Sequence, residues 1–234
     1  MNTDVIYVPN GCTNLVDNAT GQKWVDAIQR KLVNDVGPAW NWAPVLHYVG
    51  DSHMPKPADA TGIVRLVSAS GNAGTLGSHW LDGTTPTGEV GVKTCLDDGV
   101  APSSCLDHEL TEMFDKYASM CFQLRNLILA AELCDRVEDS DPDYKVDGVL
   151  CENFSLPSAF LDGNGPWDFR GKCTSNVVLP GGYQLWFNLK TMQWEQVTGE
   201  RARKSKRGAG LNSRRRQRIE DAGHDPAKLV VVAA

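Results

Sequence analysis

The sequence contains no long apolar run and no recognisable export signal. No window approaches the roughly 18 to 20 apolar residues that a membrane helix requires. The opening stretch, MNTDVIYVPNG, has neither the basic start nor the apolar core of a secretion signal. These absences argue against a membrane-spanning helix, and they predict a protein that stays in the cytosol unless cell lysis releases it.

Three common binding motifs are also missing. The seven cysteines are irregularly spaced and include no CxxC pair, which argues against a thiolate zinc knuckle. Glycine-rich stretches such as GNAGTLG are not followed by GK[ST], so a phosphate-binding loop is poorly supported. The acidic stretch DSDPDYKVDG lacks the glycine and the closing glutamate of a calcium loop, and we interpret it as a solvated turn.

The cysteines are predicted to be reduced. Their number is odd, and without an export signal they are expected to be buried as small apolar side chains. A bond between Cys95 and Cys105, which flank one loop, is the less favoured alternative.

The charge is divided unevenly along the chain. Residues 1–200 hold 13 Lys and Arg against 26 Asp and Glu, whereas residues 201–234 hold 10 against 3. The whole chain has 41% hydrophobic residues, which is typical of a globular protein, and the acidic part is predicted to be one α+β domain over residues 1–200. Residues 201–234 are predicted to be a basic C-terminal arm.

The arm is a candidate contact region for DNA or for neighbouring protein subunits. It has no aromatic residue for stacking on bases, so binding through phosphates, without base reading, is expected. The apolar end, LVVVAA, is expected to add to a sheet or an interface. The candidate contact residues are Arg201, Arg203, Lys204, Lys206, Arg207, Arg214, Arg215, Arg216 and Arg218.

Hydrophobic periodicity predicts most of the elements. A strand over DVIYVPN is followed by a helix that begins between Asn18 and Thr20 and is ended by Gly37-Pro38. The stretch GNAGTLGSHWLDGTTPTG is typical of a loop. The segment CFQLRNLILAAELCDRVED fits either a helix or a buried strand. Further strands are predicted in APVLHYVGD, GIVRLVSAS and EVGVKTCL, and a hairpin in GGYQLWFNLKTMQWEQV.

The stretch CLDHELTEMFDKYA carries the clearest candidate chemistry. His108 and Glu112 are four residues apart, so on a helix they point to one side and could bind one cation. Glu109 stands next to His108, where a carboxylate could accept the proton of an attacking water. A third ligand is expected downstream, with Glu132 as that ligand and Asp135 as the hydrogen-bonding partner of His108.

The same residues also fit an ordinary amphipathic helix. Leu106, Leu110 and Met113 form an apolar stripe, and His108 and Glu112 would then lie on its wet opposite face. His79, in LGSHW, is either a further group in the cleft or a partly buried, hydrogen-bonded residue, and the second interpretation is favoured.

Several motifs, in order along the chain, resemble a family of uncharacterised phage-encoded proteins. They are DHELTEMFDKYA, AAELCDRVED, VLCENFSLPSAF and PGGYQLWF, followed by an arginine-rich end. The helix motif, HExxE, also resembles that of the zincin metallopeptidases. Asp107 departs from the family pattern, which has a small serine before the histidine.

The resemblance implies a zincin-like fold in which His108 and Glu112 bind zinc and Glu109 is the general base. It places Glu132 or Asp135 at a further position of the site. The expected function is a zinc-dependent metallopeptidase acting on a peptide substrate in the host cytoplasm during infection. The alternative is a structural virion or assembly protein on the same fold, whose arm contacts packaged DNA or other phage structural proteins.

Overall fold

The computed structural model describes residues 4–50, 57–71, 75–113, 121–138, 143–161, 164–174, 178–199 and 230–233. The chain divides into two compact units. The first consists of Met1–Lys116 with Asp143–Glu152, and the second of Tyr117–Pro142 with Asn153–Ala234. The mixed α+β class predicted from the sequence is confirmed, with an N-terminal helix and several sheets.

A five-stranded mixed sheet forms the centre of the first unit. Its spatial order is β2-β1-β3-β5-β4, in which the edge strand β4 is antiparallel to β5 and the other neighbours are parallel. Val8, Val64 and Leu66 are fully buried, so their side chains form part of the core of this unit. The strands are β1 (Val5–Pro9), β2 (Val45–Val49), β3 (Gly62–Val67), β4 (Gly77–Asp82) and β5 (Thr85–Gly91).

The first helix begins at Asn18, within the predicted range, but its end differs from the prediction. Helix α1 spans Asn18–Lys31, and its cap is Asp17, whose carboxylate accepts the Thr20 N–H at 2.8 Å. The chain then continues through one π-helical turn, Leu32–Val36, into the short helix α2, Gly37–Trp40. The predicted end at Gly37-Pro38 is wrong because proline is tolerated in a first helical turn, where its missing N–H has no partner to lose.

The stretch predicted to be a loop forms most of a β-hairpin instead. Strands β4 and β5 are joined at Gly83, which has a φ of +62°. A Cβ at Gly88 would lie 3.2 Å from Met113 Cε and 3.3 Å from His79 Cβ. Glycine at this position therefore permits close packing within a strand. The predicted strand EVGVKTCL is correct only as far as Gly91, because helix α3 spans Val92–Asp97.

The motif helix α4 spans Pro102–Glu112. It packs against β4 and β5 and against β9 (Val149–Cys151). Strand β9 pairs with β8 (Tyr144–Val146) in a two-stranded sheet of the same unit. Residues 114–120, which include the rest of the predicted motif helix, lie outside the described residues.

A buried ion pair joins helices α1 and α4. Lys31 Nζ lies 2.6 Å from Asp107 Oδ2, and both side chains are completely buried. The ammonium also donates to Thr111 Oγ1 at 3.1 Å. Each buried charge has lost its hydration, and only the opposite charge nearby offsets that loss. The pair therefore restricts how the motif helix can lie on α1.

The second unit contains another five-stranded sheet, in the order β12-β11-β10-β7-β6. Ala130, Leu185, Phe187 and Trp194 form a buried cluster on it. The ambiguous segment after the motif helix is a strand pair, and the hairpin predicted near the C-terminus is confirmed. The strands are β6 (Cys121–Leu124), β7 (Leu127–Ala130), β10 (Tyr183–Asn188), β11 (Gln193–Thr198) and β12 (Val230–Ala233).

The apolar C-terminal segment adds to this sheet, as predicted. Strand β12 pairs in parallel with β11, with Val230 opposite Glu195. The nine basic residues of the arm between Arg201 and Arg218 lie outside the described residues, and the arm and its boundary at residue 200 remain predictions. None of the helices in the described ranges is long and apolar enough to cross a bilayer.

We expect Lys31→Met to lower the free energy of unfolding by about 3 to 5 kcal/mol, because it leaves Asp107 buried without its ammonium. Urea denaturation followed by circular dichroism measures the change. Arg30→Met, at the adjacent position, is the matched control: Arg30 pairs with Asp147, and both side chains are about half exposed. Its loss should cost no more than about 1 kcal/mol. Equal losses for the two variants would contradict the structural importance of the buried pair.

Candidate metal centre

Most polar residues of the motif helix are buried, and His108 is of intermediate exposure. Asp107 and Thr111 are 0% exposed, Glu112 is 1% exposed and Glu109 is 5% exposed. An amphipathic surface helix would instead turn such residues to water. The interpretation of HExxE as a wet helix face is therefore wrong for the described part of the helix.

Two imidazoles face the same oxygen atom of Glu112. His108 Nε2 lies 3.3 Å from Glu112 Oε2, as expected from their spacing on α4. His79 Nε2, from the edge strand β4, lies 3.8 Å from the same oxygen. A strand and a helix thus bring two nitrogen ligands and one carboxylate together.

Each imidazole is held by a further carboxylate through its other nitrogen. His79 Nδ1 lies 2.5 Å from Glu109 Oε2, and His108 Nδ1 lies 2.9 Å from Glu152 Oε2. Because an ionised carboxylate can only accept, each Nδ1 is assigned the proton, and the Nε2 of a neutral imidazole then keeps its lone pair. Carboxylate–histidine pairs of this kind orient metal ligands in proteins.

The donor set fits a zinc ion in type and in spacing. Zinc accepts imidazole nitrogen and carboxylate oxygen with bonds of about 2.0 to 2.2 Å, so neighbouring ligand atoms of a tetrahedron lie about 3.3 Å apart. The two nitrogen–oxygen separations at Glu112, 3.3 and 3.8 Å, are close to that value. The side chains would need only small movements to bind an ion.

Asp107, the residue that departs from the family pattern, contacts the backbone of Glu152, whose side chain in turn contacts His108. Its Oδ2 accepts the backbone N–H of Glu152 at 2.7 Å as well as the Lys31 ammonium. The backbone position of Glu152, and with it the carboxylate that contacts His108, therefore depends on Asp107. Burial raises the pKa of the Asp107 carboxyl, and the adjacent Lys31 ammonium opposes that rise.

Sequence reasoning missed part of this centre. His79 is hydrogen-bonded and buried, as favoured, but its partner is the motif residue Glu109. Glu152 and Lys31 are not among the residues predicted from the sequence to belong to the site. A lysine within the apolar periodicity of α1 was an available signal for Lys31, whereas nothing in the sequence near Glu152 indicates its contact with His108.

Glu132 and Asp135 belong to the second unit, where both are buried, and their roles as ligand and histidine partner remain predictions. His47 stacks on Tyr7, with ring centroids 5.0 Å apart. Among the described residues, six cysteines are buried free thiols, and the alternative of a Cys95–Cys105 bond is wrong; they are Cys12, Cys95, Cys105, Cys134, Cys151 and Cys173.

Asp143 adds a further carboxyl group beside the motif helix. Ser104 Oγ donates to Asp143 Oδ2 at 2.7 Å. Burial, together with the negative charge of Glu152, raises the pKa of Asp143 to about 8. Tyr144, the next residue, donates to Asp35 Oδ2 at 2.7 Å, and burial raises the pKa of its phenol.

Comparison with protein-family models, with curated proteins and with solved structures finds no match to this chain.

We expect Gly77→Ala to weaken zinc binding by about 10- to 100-fold, the usual effect of disturbing a ligand's hydrogen-bonding partner. A Cβ at Gly77 would lie 2.5 Å from Glu109 Oε1 and would push that carboxylate away from His79. Calorimetric zinc titration measures the affinity. Gly62→Ala, also in the sheet, is the control, since its Cβ would be 3.4 Å from the nearest atom. An unchanged zinc affinity in Gly77→Ala would contradict the proposed contact.

We expect the stability of the metal-free protein to fall as the pH rises from about 4 to about 8. Over that range the folded protein keeps a proton on Asp143, whereas the unfolded chain, with an ordinary carboxyl pKa of 3.8, has lost it. Asp143→Asn should remove this slope and be more stable than the native protein above pH 8, by about 1 to 3 kcal/mol.

Urea denaturation at several pH values tests the effect of Asp143. Asp98→Asn, at an exposed position, is the control and should keep the native pH dependence. Parallel pH profiles for Asp143→Asn and the native protein would show that Asp143 titrates normally.

Proposed function

We propose that the protein is a phage-encoded, zincin-like metallohydrolase, most specifically a zinc-dependent peptidase. One observation carries the proposal: the Nε2 atoms of His79 and His108 lie 3.8 and 3.3 Å from one buried oxygen of Glu112. The HExxE helix, which follows a mixed sheet with an antiparallel edge strand, supports a zincin-like fold. The sequence resemblance supports the phage context.

A zinc ion supplies Lewis-acid polarisation of a peptide carbonyl and makes an attacking water more acidic. His108 and Glu112 would hold the ion, and the Nε2 atom of His79 lies 3.8 Å from the same Glu112 oxygen. Glu152 fixes the ring of His108 and the proton on its Nδ1. These contacts hold the ligands in place before any metal binds, which lowers the cost of reorganisation on binding.

Glu109 is the carboxylate we assign to proton transfer. It follows His108 on the motif helix, contacts the ring of His79, and is 5% exposed. Its contact with His79 Nδ1 at 2.5 Å fixes its position. The proton of the attacking water would go to this carboxylate and from there to the leaving amine.

The zinc content of the purified, tag-free protein, measured by inductively coupled plasma mass spectrometry, is the first test. We expect bound zinc in the native protein and a lower content in His108→Ala. His47→Ala, which removes an exposed histidine from the first unit, should retain the native content. A native protein that takes up no zinc at neutral pH would rule out this function.

Glu109→Gln separates catalysis from metal binding. Glutamine keeps a hydrogen-bond acceptor for His79 but cannot take up a proton, so the variant should retain zinc and cleave peptides about 10²- to 10⁴-fold more slowly. Cleavage of a peptide library, followed by mass spectrometry, measures the rate. A variant that keeps zinc and cleaves at the native rate would show that Glu109 is not the base.

The uneven charge distribution favours a second function, that of a structural virion or assembly protein. Nine basic residues between Arg201 and Arg218 contrast with the acidic remainder of the chain. In this role the arm would contact packaged DNA or neighbouring phage subunits, and the metal centre would be stabilising only. Replacing the nine residues by glutamine, with strand β12 retained, should abolish that binding and leave zinc content unchanged. If the glutamine variant bound DNA in low salt as tightly as the native protein does, this role of the arm would be contradicted.

A further inference from the structure

The first unit contains two histidine ligands arranged about one carboxylate oxygen. His79 and Glu112 offer donor atoms within 4.8 Å of each other, and so do His108 and Glu112. Within the described residues, however, the two histidines do not belong to one such group of donors. Glu112 therefore belongs to two separate pairs, one with His79 and one with His108.

The two pairs are built alike. His79 has its own partner in Glu109, and His108 has its own partner in Glu152, each through Nδ1. Both Nε2 atoms are thereby directed toward Glu112 Oε2 from different elements, an edge strand and a helix. The centre therefore holds two histidine–carboxylate pairs that share Glu112.

We infer that Glu112 bridges two divalent metal ions, one bound by His79 and the other by His108. This inference rests on the proposed metallohydrolase function and adds a second ion to it. Ions that share a bridging carboxylate lie about 3.5 to 4 Å apart in two-metal hydrolases. Each nitrogen–oxygen separation at Glu112, 3.8 and 3.3 Å, corresponds to the ligand spacing around one ion.

A second ion would extend the range of substrates. Two ions side by side can stabilise the attacking and the leaving oxygen of a displacement at the same time, which suits esters of phosphate as well as peptides. One histidine is available for each ion, because Glu109 and Glu152 are both buried and each holds one imidazole.

An arrangement without metal explains the same contacts differently. If both imidazoles were doubly protonated, they could form ion pairs with Glu109, Glu112 and Glu152. The two explanations differ in metal stoichiometry, which can be measured without any knowledge of the substrate.

The test is the number of ions bound per chain after loading the full-length protein with zinc and removing the excess by dialysis. We expect about two zinc ions per chain in the native protein and about one in His79→Ala and in His108→Ala. Glu112→Gln, which preserves the volume of the side chain, should lose both ions. His47→Ala is the control, and circular dichroism confirms folding of each variant.

Manganese provides a second readout in the same proteins. Two manganese ions that share Glu112 should give an exchange-coupled electron paramagnetic resonance spectrum, whereas each histidine variant should give that of an isolated ion. Loss of both ions from one histidine variant, with a coupled spectrum in the native protein, also supports the shared bridge.

Three results would overturn the two-ion centre. One ion per chain, lost from either histidine variant, would mean that both histidines bind the same ion, and the proposed hydrolase would stand. Metal content unaffected by His79→Ala would remove His79 from the ligands. A native protein without metal would overturn both this inference and the proposed function.

Discussion

The buried pair of Lys31 and Asp107 is the contact on which the candidate centre depends. It joins the N-terminal helix to the motif helix, and the same Asp107 carboxylate accepts the backbone N–H of Glu152. Glu152 in turn holds the ring of His108. This ion pair therefore contributes both to the position of the motif helix and to the orientation of His108. Because both charges are removed from water, neither can be lost without a large penalty.

The centre is assembled from three kinds of local structure. The helix contributes His108, Glu109 and Glu112 through its turn spacing, and the edge strand contributes His79. A short hairpin contributes Glu152, immediately after its second strand. Glycines at positions 77 and 88 leave room for Glu109 and Met113 beside the edge strand. Residues whose composition is typical of a loop thus form the strand that faces the motif helix.

The sequence identified the residues whose relation is local. His108, Glu109 and Glu112 could be predicted because their spacing maps onto one helix, and strands such as β1 and β3 could be predicted from β-branched residues. Glycine and threonine misled the prediction at β4 and β5, since their role there is close packing rather than turning. The contacts of Lys31 with Asp107 and of His79 with Glu109 join residues 76 and 30 positions apart. Hydrophobic periodicity cannot predict contacts between residues so far apart in sequence, because these contacts arise only from the way the sheet and helices pack.

Anomalous diffraction at the zinc absorption edge, from crystals of the full-length protein grown with zinc, tests the central claim directly. The account predicts strong anomalous density beside Glu112 Oε2, within bonding distance of His108 Nε2. Density also beside His79 Nε2, at a separate position, would correspond to a second ion. Zinc found only at surface residues, with the buried histidines and glutamates bonded to one another as they are here, would show that the cluster is an ion-pair network and not a metal centre.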